Sequence, residues 1–320
     1  MKFGAYLDSY YTYDFNQPNN NQRPYVTQYD RHNEFSINHA WINGAYESEK
    51  IRASLAIQTG TYPANNYGAE PIWAQMIYEG FAGYRITKNG WLDIGVFGGH
   101  FGYESALSID RELLSPALAT EYTPYYQSGI RYTHDLSDNT QLRAVVVNGW
   151  QNIRETNDYK SVGLALDHQM SDKVFLSYGN YYGVDRSALG TNVWRFHNNG
   201  IISFSPSNEL KLTGIIDWTL QEAGSGSQSV VFLTTIASYK MSDKWSINAR
   251  YEYVKDEDEV LINGFGPSYN QSIVSLALGY HPSAHVSFKI EPKLYAGNSD
   301  YSANANSAFV LHSGVAVRLQ

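Results

Sequence analysis

The tetrapeptide Met-Ser-Asp-Lys occurs twice in this chain, within HQMSDKVFLSYG (residues 168–179) and YKMSDKWSINAR (residues 239–250). Apolar residues alternate with polar or small ones on both sides of the first copy, in VGLALDHQ (162–169) and VFLSYG (174–179). Successive side chains of a β-strand point to opposite faces, so this alternation predicts a strand on each side. Ser and Asp favour tight turns because they hydrogen-bond to nearby backbone. Each copy therefore marks the turn of a predicted β-hairpin.

Related short turns recur along the whole chain, at a spacing that is typical of a repeated structural unit. They are ESEK (47–50), TKNG (87–90), LSDN (136–139), SPSN (205–208) and HPSA (281–284), beside the two MSDK copies. Longer polar connections alternate with these turns, at residues 16–33, 62–73, 100–122, 151–160, 183–192, 222–228, 255–268 and 297–306.

The number of turns and loops defines the predicted architecture. Seven short turns and eight long loops join sixteen strands, and both chain ends then lie on the side of the short turns. An even number of antiparallel strands with this arrangement is typical of outer-membrane proteins. We therefore predict an all-β fold, a 16-stranded antiparallel up-and-down transmembrane β-barrel with short periplasmic turns and long extracellular loops. We expect residues 1–320 to form this single transmembrane β-barrel domain.

The composition agrees with a barrel in a membrane. Aromatic residues make up 15% of the chain, charged residues only 17%, and the mean hydropathy is −0.40. A barrel tolerates such values because only alternate residues of each strand face lipid. A soluble β-protein is the alternative, but its hairpins would leave open sheet edges, and a propeller blade needs four strands per repeat instead of two. The formal charge of −8 argues against nucleic acid as a partner.

The alternation also predicts which charged residues point into the barrel. On the lipid-facing side a charge would cost about 2–4 kcal/mol at the midplane of the bilayer, so the charged face of each strand is placed inside. The predicted inner acids are Asp8, Asp14, Glu79, Asp93, Asp167, Asp217, Glu252 and Glu291. The predicted inner bases are Arg52, Arg85, Arg131, Arg143, Lys211, Arg250, Lys289, Lys293 and Arg318. Eight acids against nine bases predict weak overall ion selectivity.

Motifs for catalysis, metal binding or cofactor binding do not emerge from the chain. HPSAH (281–285) carries two His four residues apart, but on a predicted turn and not on the helix that a zinc site of this spacing uses. DEDE (256–259) lacks the spacing and the Gly of a calcium loop. Cysteine is absent, which excludes disulfides and thiolate metal sites. We therefore expect neither an enzyme nor a cofactor.

Several stretches in the first half resemble the OmpL-like β-barrel porin family of Gram-negative outer membranes. They are GAYLDSYYTYDFN (4–16), LAIQTGTYPANNYGAEP (55–71), HFGYES (100–105), EYTPYY (121–126) and VVVNGWQNI (145–153). The chain departs from outer-membrane barrels at its end, where VAVRLQ (315–320) lacks the usual terminal aromatic residue. The resemblance implies a porin in the outer membrane of a Gram-negative bacterium.

Two functions are favoured for such a barrel, ahead of a barrel enzyme. The first is a porin for passive diffusion of small hydrophilic solutes, since sixteen strands enclose a water-filled channel. In porins the third long loop, here residues 100–122, often folds inward and narrows the lumen. The second is a non-conducting barrel that acts as a scaffold or accessory subunit of a larger outer-membrane complex. Its first loop (16–33) would offer either a binding surface or an ordinary solvated loop.

The porin hypothesis predicts which residues line the constriction. They are Arg52, Arg131, Arg143 and Glu79 on the wall, and Glu104, Asp110, Arg111 and Glu112 on the loop. We expect the loop acids to face the wall arginines, and Lys211 to lie away from the loop. The expected partners are membrane lipid, lipopolysaccharide and small hydrophilic solutes, with protein partners only in the scaffold case.

Overall fold

The computed structural model describes residues 1–186, 190–224, 226–263, 269–297 and 307–319. Parts of the predicted connections 183–192, 222–228, 255–268 and 297–306, and the final residue, lie outside this described part. Most of the described chain is β-strand, as predicted. None of the helices in the described ranges is long and apolar enough to cross a membrane.

Sixteen strands are present in the described part of the chain. They are β1 (Lys2–Asp14), β2 (Phe35–Glu47), β3 (Ile51–Thr59), β4 (Ile77–Thr87), β5 (Gly90–Gly98), β6 (Tyr126–Ser137), β7 (Thr140–Val147), β8 (Ser161–Ser171), β9 (Val174–Arg186), β10 (Asn192–Phe204), β11 (Leu210–Ala223), β12 (Gly226–Lys240), β13 (Trp245–Asp256), β14 (Tyr269–Ser283), β15 (Val286–Gly297) and β16 (Ser307–Leu319). Short helices occupy α1 (Thr61–Asn66), α2 (Ile72–Gln75) and α3 (Leu118–Tyr122), with one 3₁₀ turn at Ser108–Asp110.

The strands close into one antiparallel barrel in which each strand pairs with its neighbours in the chain. The last strand returns to the first, in a register that runs from Ala5↔Leu319 to Asp14↔Val310. Because closure pairs the edge strands with each other, the barrel has no open sheet edge. The 16-stranded up-and-down architecture predicted from the turn count is confirmed.

Both MSDK copies occupy the tight turns predicted for them. The first lies between β8 and β9, where Ser171 pairs with Val174 across the turn. In the second, the backbone N–H groups of Met241 and Ser242 both donate to the carbonyl of Trp245. A two-strand unit that ends in such a turn accounts for the repeat in the sequence.

The two faces of the strands differ as the alternation requires. On β14, Val274 is 51% exposed and Leu276 46% exposed, whereas the intervening Ser275 and Ala277 are buried. The exposed apolar residues form the outer, lipid-facing surface, where burial against hydrocarbon is favourable. The alternation therefore separates a lipid-facing surface from the barrel interior on this strand.

The buried core of the protein lies inside the barrel. We call residues 99–125, between β5 and β6, the inner loop, and residues 15–34, between β1 and β2, the first loop. Leu113 of the inner loop packs on the inward-facing Ile201, Ile215 and Ile236. Leu118 packs in a second cluster that also contains Tyr25 of the first loop. Both loops therefore contribute apolar side chains to the interior.

Candidate functional site

Strand β15 presents Lys289, Glu291 and Lys293 to the interior at alternate positions. The Nζ of Lys289 donates to the backbone carbonyl of Ser108 at 2.6 Å and to that of Leu113 at 3.4 Å. A lysine ammonium has three donors and no acceptor, so backbone carbonyls can satisfy its hydrogen bonds. Lys289 thus holds the middle of the inner loop against the wall.

The next two inward positions of β15 hold the following turn of the inner loop. Glu291 accepts hydrogen bonds from the backbone N–H and the hydroxyl of Ser115, each at 2.7 Å. Lys293 donates from Nζ to the carbonyl of Pro116 at 3.1 Å. The wall therefore binds mainly loop backbone, and an acid and a base alternate to match its N–H and C=O groups.

Arg250 on β13 is the centre of this contact. Its Nε donates to Glu252 at 2.8 Å and its Nη1 to Glu104 of the inner loop at 3.0 Å. The remaining donors bond to the backbone and hydroxyl of residues 115–116. The side chain is fully buried. A guanidinium has five N–H donors, and all five are used.

The acids of the inner loop pair with other bases than the sequence predicted. Glu104 pairs with Arg250, Asp110 with Arg318 at 2.6 Å, and Glu112 with Lys211 at 3.1 Å. The prediction that these acids face Arg52, Arg131 and Arg143 is therefore wrong. The alternation of side chains along each strand placed these bases inside correctly, but it could not determine on which side of the lumen the loop would lie.

Lys211 was expected to lie away from the inner loop, and this expectation is also wrong. Its Nζ contacts Glu112 and lies 5.1 Å from the ring centroid of Tyr103, which also belongs to the loop. Tyr103 donates its hydroxyl to Glu112 at 2.5 Å. Burial, together with the carboxylate of Glu112, raises the pKa of Tyr103 to about 12. The phenol therefore remains protonated and able to donate at neutral pH.

The first loop is joined to the inner loop. Arg111, which is buried, donates from Nη1 to Gln28 at 3.1 Å and from Nη2 to the hydroxyl of Tyr29 at 3.2 Å. Glu121 accepts hydrogen bonds from the backbone N–H of Thr27 at 2.9 Å and from its hydroxyl at 2.5 Å. Burial raises the pKa of Glu121, and these hydrogen bonds oppose the shift.

The sequence did not predict these contacts of the first loop. It left open only whether the loop is a binding surface or an ordinary solvated loop. Residues 19–22 are exposed, but Arg23, Gln28 and Tyr29 are buried. Tyr29 donates to the inward-facing Asp8 at 2.6 Å. The signal for this burial was the pair Tyr25 and Tyr29, two large aromatic residues in a loop that is otherwise mostly polar.

A separate group of arginines lies on β3 to β6. Arg52, Gly83, Asp93 and Arg131 stand in one lateral row of paired residues. Arg52 binds both oxygens of Asp93, at 2.7 and 2.6 Å, and Arg131 binds one of them at 3.0 Å. A Cβ on Gly83 would lie 2.2 Å from Asp93 and 3.1 Å from Arg52. Glycine is therefore what allows Arg52 to reach across β4.

Aromatic rings support these arginines. Arg52 and Arg85 stack on the indole of Trp91, at 4.7 and 4.4 Å from the ring centroid, and Arg131 lies 4.5 Å from that of Phe97. Stacking of a guanidinium on an aromatic face adds roughly 0.5–2 kcal/mol.

The other two predicted wall residues lie near this row. Arg143 pairs with Asp167 at 2.7 Å and donates to the carbonyl of His100 at the start of the inner loop. Glu79 is half-buried on β4 and pairs in register with the inward-facing Ala56. The structure thus brings Arg52 and Arg131 together through Asp93, and separates them from the loop acids.

The family of the chain follows from comparison with known sequences. Residues 1–317 match the family described as "Putative beta-barrel porin-2, OmpL-like". The chain belongs to this family. Membership agrees with the resemblance seen in the sequence motifs, and it places the protein in the outer membrane of a Gram-negative bacterium. No curated protein is similar enough to match the chain.

Solved outer-membrane structures share the fold of this OmpL-like porin. OmpT of Vibrio cholerae, expressed in the outer membrane, is 12% identical over 99% of this chain and 97% of its own, with a TM-score of 0.67. The DcaP channel of Acinetobacter baumannii is 10% identical over 99% and 96%, with a TM-score of 0.67. OmpF of Salmonella typhi in complex with daunomycin is 13% identical over 99% and 97%, also with a TM-score of 0.67.

Proposed function

We propose that this OmpL-like porin passes small hydrophilic solutes by passive diffusion through a lumen that the inner loop narrows. The observation that carries the proposal is the buried anchoring of the loop by Arg250, Lys289 and Glu291. Three anchors on two strands fix the middle of the loop, at residues 108–116, to one side of the barrel. Toward the short-turn end the solute path then follows the opposite wall, along β3 to β8.

Solvent contact of the inward charges supports this path. The side chains of Arg52, Arg131, Arg143 and Asp167 are 21%, 18%, 23% and 24% exposed, whereas Arg250 is fully buried. A cavity of about 520 Å³ lies at the short-turn end of the same wall. We propose that these wall residues and Glu79 line the channel, with Asp110 and Glu112 at the loop edge. Glu104 and Arg111 would then hold the loop in place.

The protein would act as a single transmembrane domain that contacts lipid and lipopolysaccharide on its outer face, with no catalytic step. A non-conducting scaffold is the second candidate. It is favoured by the insertion of both loops, because the first loop and the inner loop together bury inward residues on β1 and β10 to β16. In that case the barrel would bind another outer-membrane protein in place of passing solutes.

Reconstitution in planar bilayers tests the proposed function. A porin gives discrete conductance steps that scale with salt concentration, and proteoliposomes swell in small sugars but not in larger ones. A scaffold gives no steps and no swelling from correctly folded protein. Size-dependent swelling together with conductance would support narrowing by the loop, whereas a closed barrel in both assays would overturn the porin proposal.

A further inference from the structure

The inner loop begins in the sequence Gly-Gly-His-Phe-Gly (98–102), where two ring side chains stand between glycines. Gly102 has a φ of +107°, a conformation that residues with a side chain rarely adopt. Among the described residues, no atom outside its chain neighbours lies within 4 Å of where a Cβ of Gly102 would stand. The backbone that follows His100 and Phe101 is therefore not held in place by packing.

The two rings are seated in a depression of the wall formed by Gly163 on β8 and Gly179 on β9, which we call the glycine socket. A Cβ on Gly163 would lie 2.2 Å from Nε2 of His100, and a Cβ on Gly179 would lie 2.4 Å from the Cβ of Phe101. Van der Waals contact between carbon atoms is about 3.5–4.0 Å. Glycine at both positions therefore makes room for the rings.

His100 and Phe101 lie between two cavities. On the side of the long loops, a cavity of about 250 Å³ is lined in part by Trp150, whose ring centroid is 5.8 Å from that of Phe101. On the short-turn side, Asp167 lines the cavity of about 520 Å³. Its partner Arg143 donates to the carbonyl of His100 at 3.1 Å. The two rings thus stand between the extracellular mouth and the lower lumen.

His100 is buried in a position that suits a neutral imidazole. Its Nε2 lies 2.7 Å from the carbonyl oxygen of Asn180, and its Nδ1 lies 2.7 Å from the side-chain amide of Gln127. The amide nitrogen of Gln127 has no hydrogen-bond partner among the described residues. When this nitrogen faces the ring, a neutral His100 donates to Asn180 and accepts from Gln127. Burial lowers the pKa of His100, Arg143 and His197 add to the shift, and the two hydrogen bonds oppose it.

The charges around the socket do not compensate a positive charge on His100. The charged and titratable groups packed there are Arg143 of β7, Asp167 of β8, Asp185 of β9, His197 of β10 and Asp217 of β11. Each of the three acids already pairs with another base. On its other side, the ring of Phe101 stacks on His197 at 4.8 Å. Protonation of His100 therefore favours a position in which its ring reaches water.

We infer that His100 and Phe101 form a gate that closes the lumen when they sit in the glycine socket, and that protonation of His100 opens it. This inference rests on the proposed porin function and adds its regulation. Because the closed gate holds a neutral ring, it is most stable above about pH 6.5, the ordinary pKa of histidine. The ratio of closed to open gates then falls by up to about tenfold per pH unit below that value. Rotation at Gly102 carries both rings out of the socket and joins the two cavities.

Single-channel conductance at about pH 7.5 and at about pH 5, on either side of the ordinary histidine pKa, tests the gate. We expect the open fraction of the wild type to rise about tenfold or more in acid. His100→Gln offers a donor and an acceptor but does not titrate, so it should stay closed at both values. His285→Gln, in an exposed turn, is the matched control and should keep the acid response. An acid response that persists in His100→Gln would overturn the proposal.

Gly179→Ala tests the socket without changing a titratable group. Its Cβ should displace Phe101, so the folded variant should conduct at neutral pH as the wild type does in acid. In Gly214→Ala the Cβ meets Ile202 at an ordinary 3.5 Å, and this control should behave like the wild type. Conductance that depends neither on pH nor on Gly179 refutes the gate and leaves the porin function standing. Folded protein that conducts nothing, with or without Gly179→Ala, refutes both.

Discussion

Replacement of Arg250 by Met should release the inner loop from the wall. Methionine has a similar reach but no donors, so Glu104, Glu252 and Glu291 would all lose the guanidinium that they share. Breaking a buried charge network by removal of one partner costs about 3–5 kcal/mol. At about 1.4 kcal/mol per factor of ten, the ratio of bound to released loop falls on the order of a hundredfold or more.

The released loop has a measurable consequence for a channel. The interstrand hydrogen bonds of the barrel do not involve the Arg250 side chain, so we expect the variant to remain a folded barrel by circular dichroism. Single-channel conductance should rise, and proteoliposomes should swell in sugars that the wild type excludes. Arg250→Lys, which keeps the charge but has fewer donors, should give an intermediate result.

Arg318→Gln is the matched control for the Arg250 variants. It also breaks an ion pair between the wall and the inner loop, that of Arg318 with Asp110. These two side chains are 25% and 37% exposed. An exposed pair contributes about 0–1 kcal/mol, so the loop should stay in place. If folded Arg250→Met keeps the wild-type conductance and size limit, the loop is not held by this network and the reasoning is refuted.

Three further predictions follow from other contacts. Gly83→Ala should lower the thermal stability of the barrel, since its Cβ would lie 2.2 Å from Asp93, and an unchanged melting temperature would contradict the close approach. Ser171→Cys and Ser242→Cys, in the two MSDK turns, should react with an impermeant maleimide only in lysed cells, and labelling of intact cells would reverse the topology. Lys211→Gln should shift the reversal potential toward cations, because it leaves Glu112 unpaired at the loop edge. An unchanged reversal potential would mean that Glu112 does not contact the channel.

The strand architecture was predictable because it depends on local chemistry. Turn residues such as Ser171 and Asp172 mark hairpin ends, and period-two alternation places Leu276 outside and Ser275 inside with no knowledge of distant residues. Inward placement of charges follows from the same alternation. None of these predictions needs to know how far apart two strands lie in the closed barrel.

The partners of the inward charges could not be predicted, because they depend on the path of a long loop through the lumen. The alternation along the strands places both Lys211 and Arg131 inside the barrel, yet Lys211 contacts Glu112 of the loop and Arg131 binds Asp93 of the wall. The role of Gly83 also emerges only from the lateral register, which places it between Arg52 and Asp93. Sequence alternation gives the face of a residue but not its neighbours around the barrel.

The anchoring of the inner loop has a consequence for the order of assembly. The loop follows β5, but its anchors lie on β13 and β15, so the hydrogen-bonded partners are 134 residues apart for Leu118 and Glu252 and 181 for Ser108 and Lys289. Contacts of such long sequence separation form late. Leu113, which is fully buried in the finished barrel, packs on residues of β10 to β12, so it has no surface to pack on until those strands are in place. The polar anchors Lys289 and Glu291 become available only with β15, the last strand but one, so the loop is fully anchored just before the barrel closes, and a chain that stalls before β10 exposes Leu113 inside an open sheet.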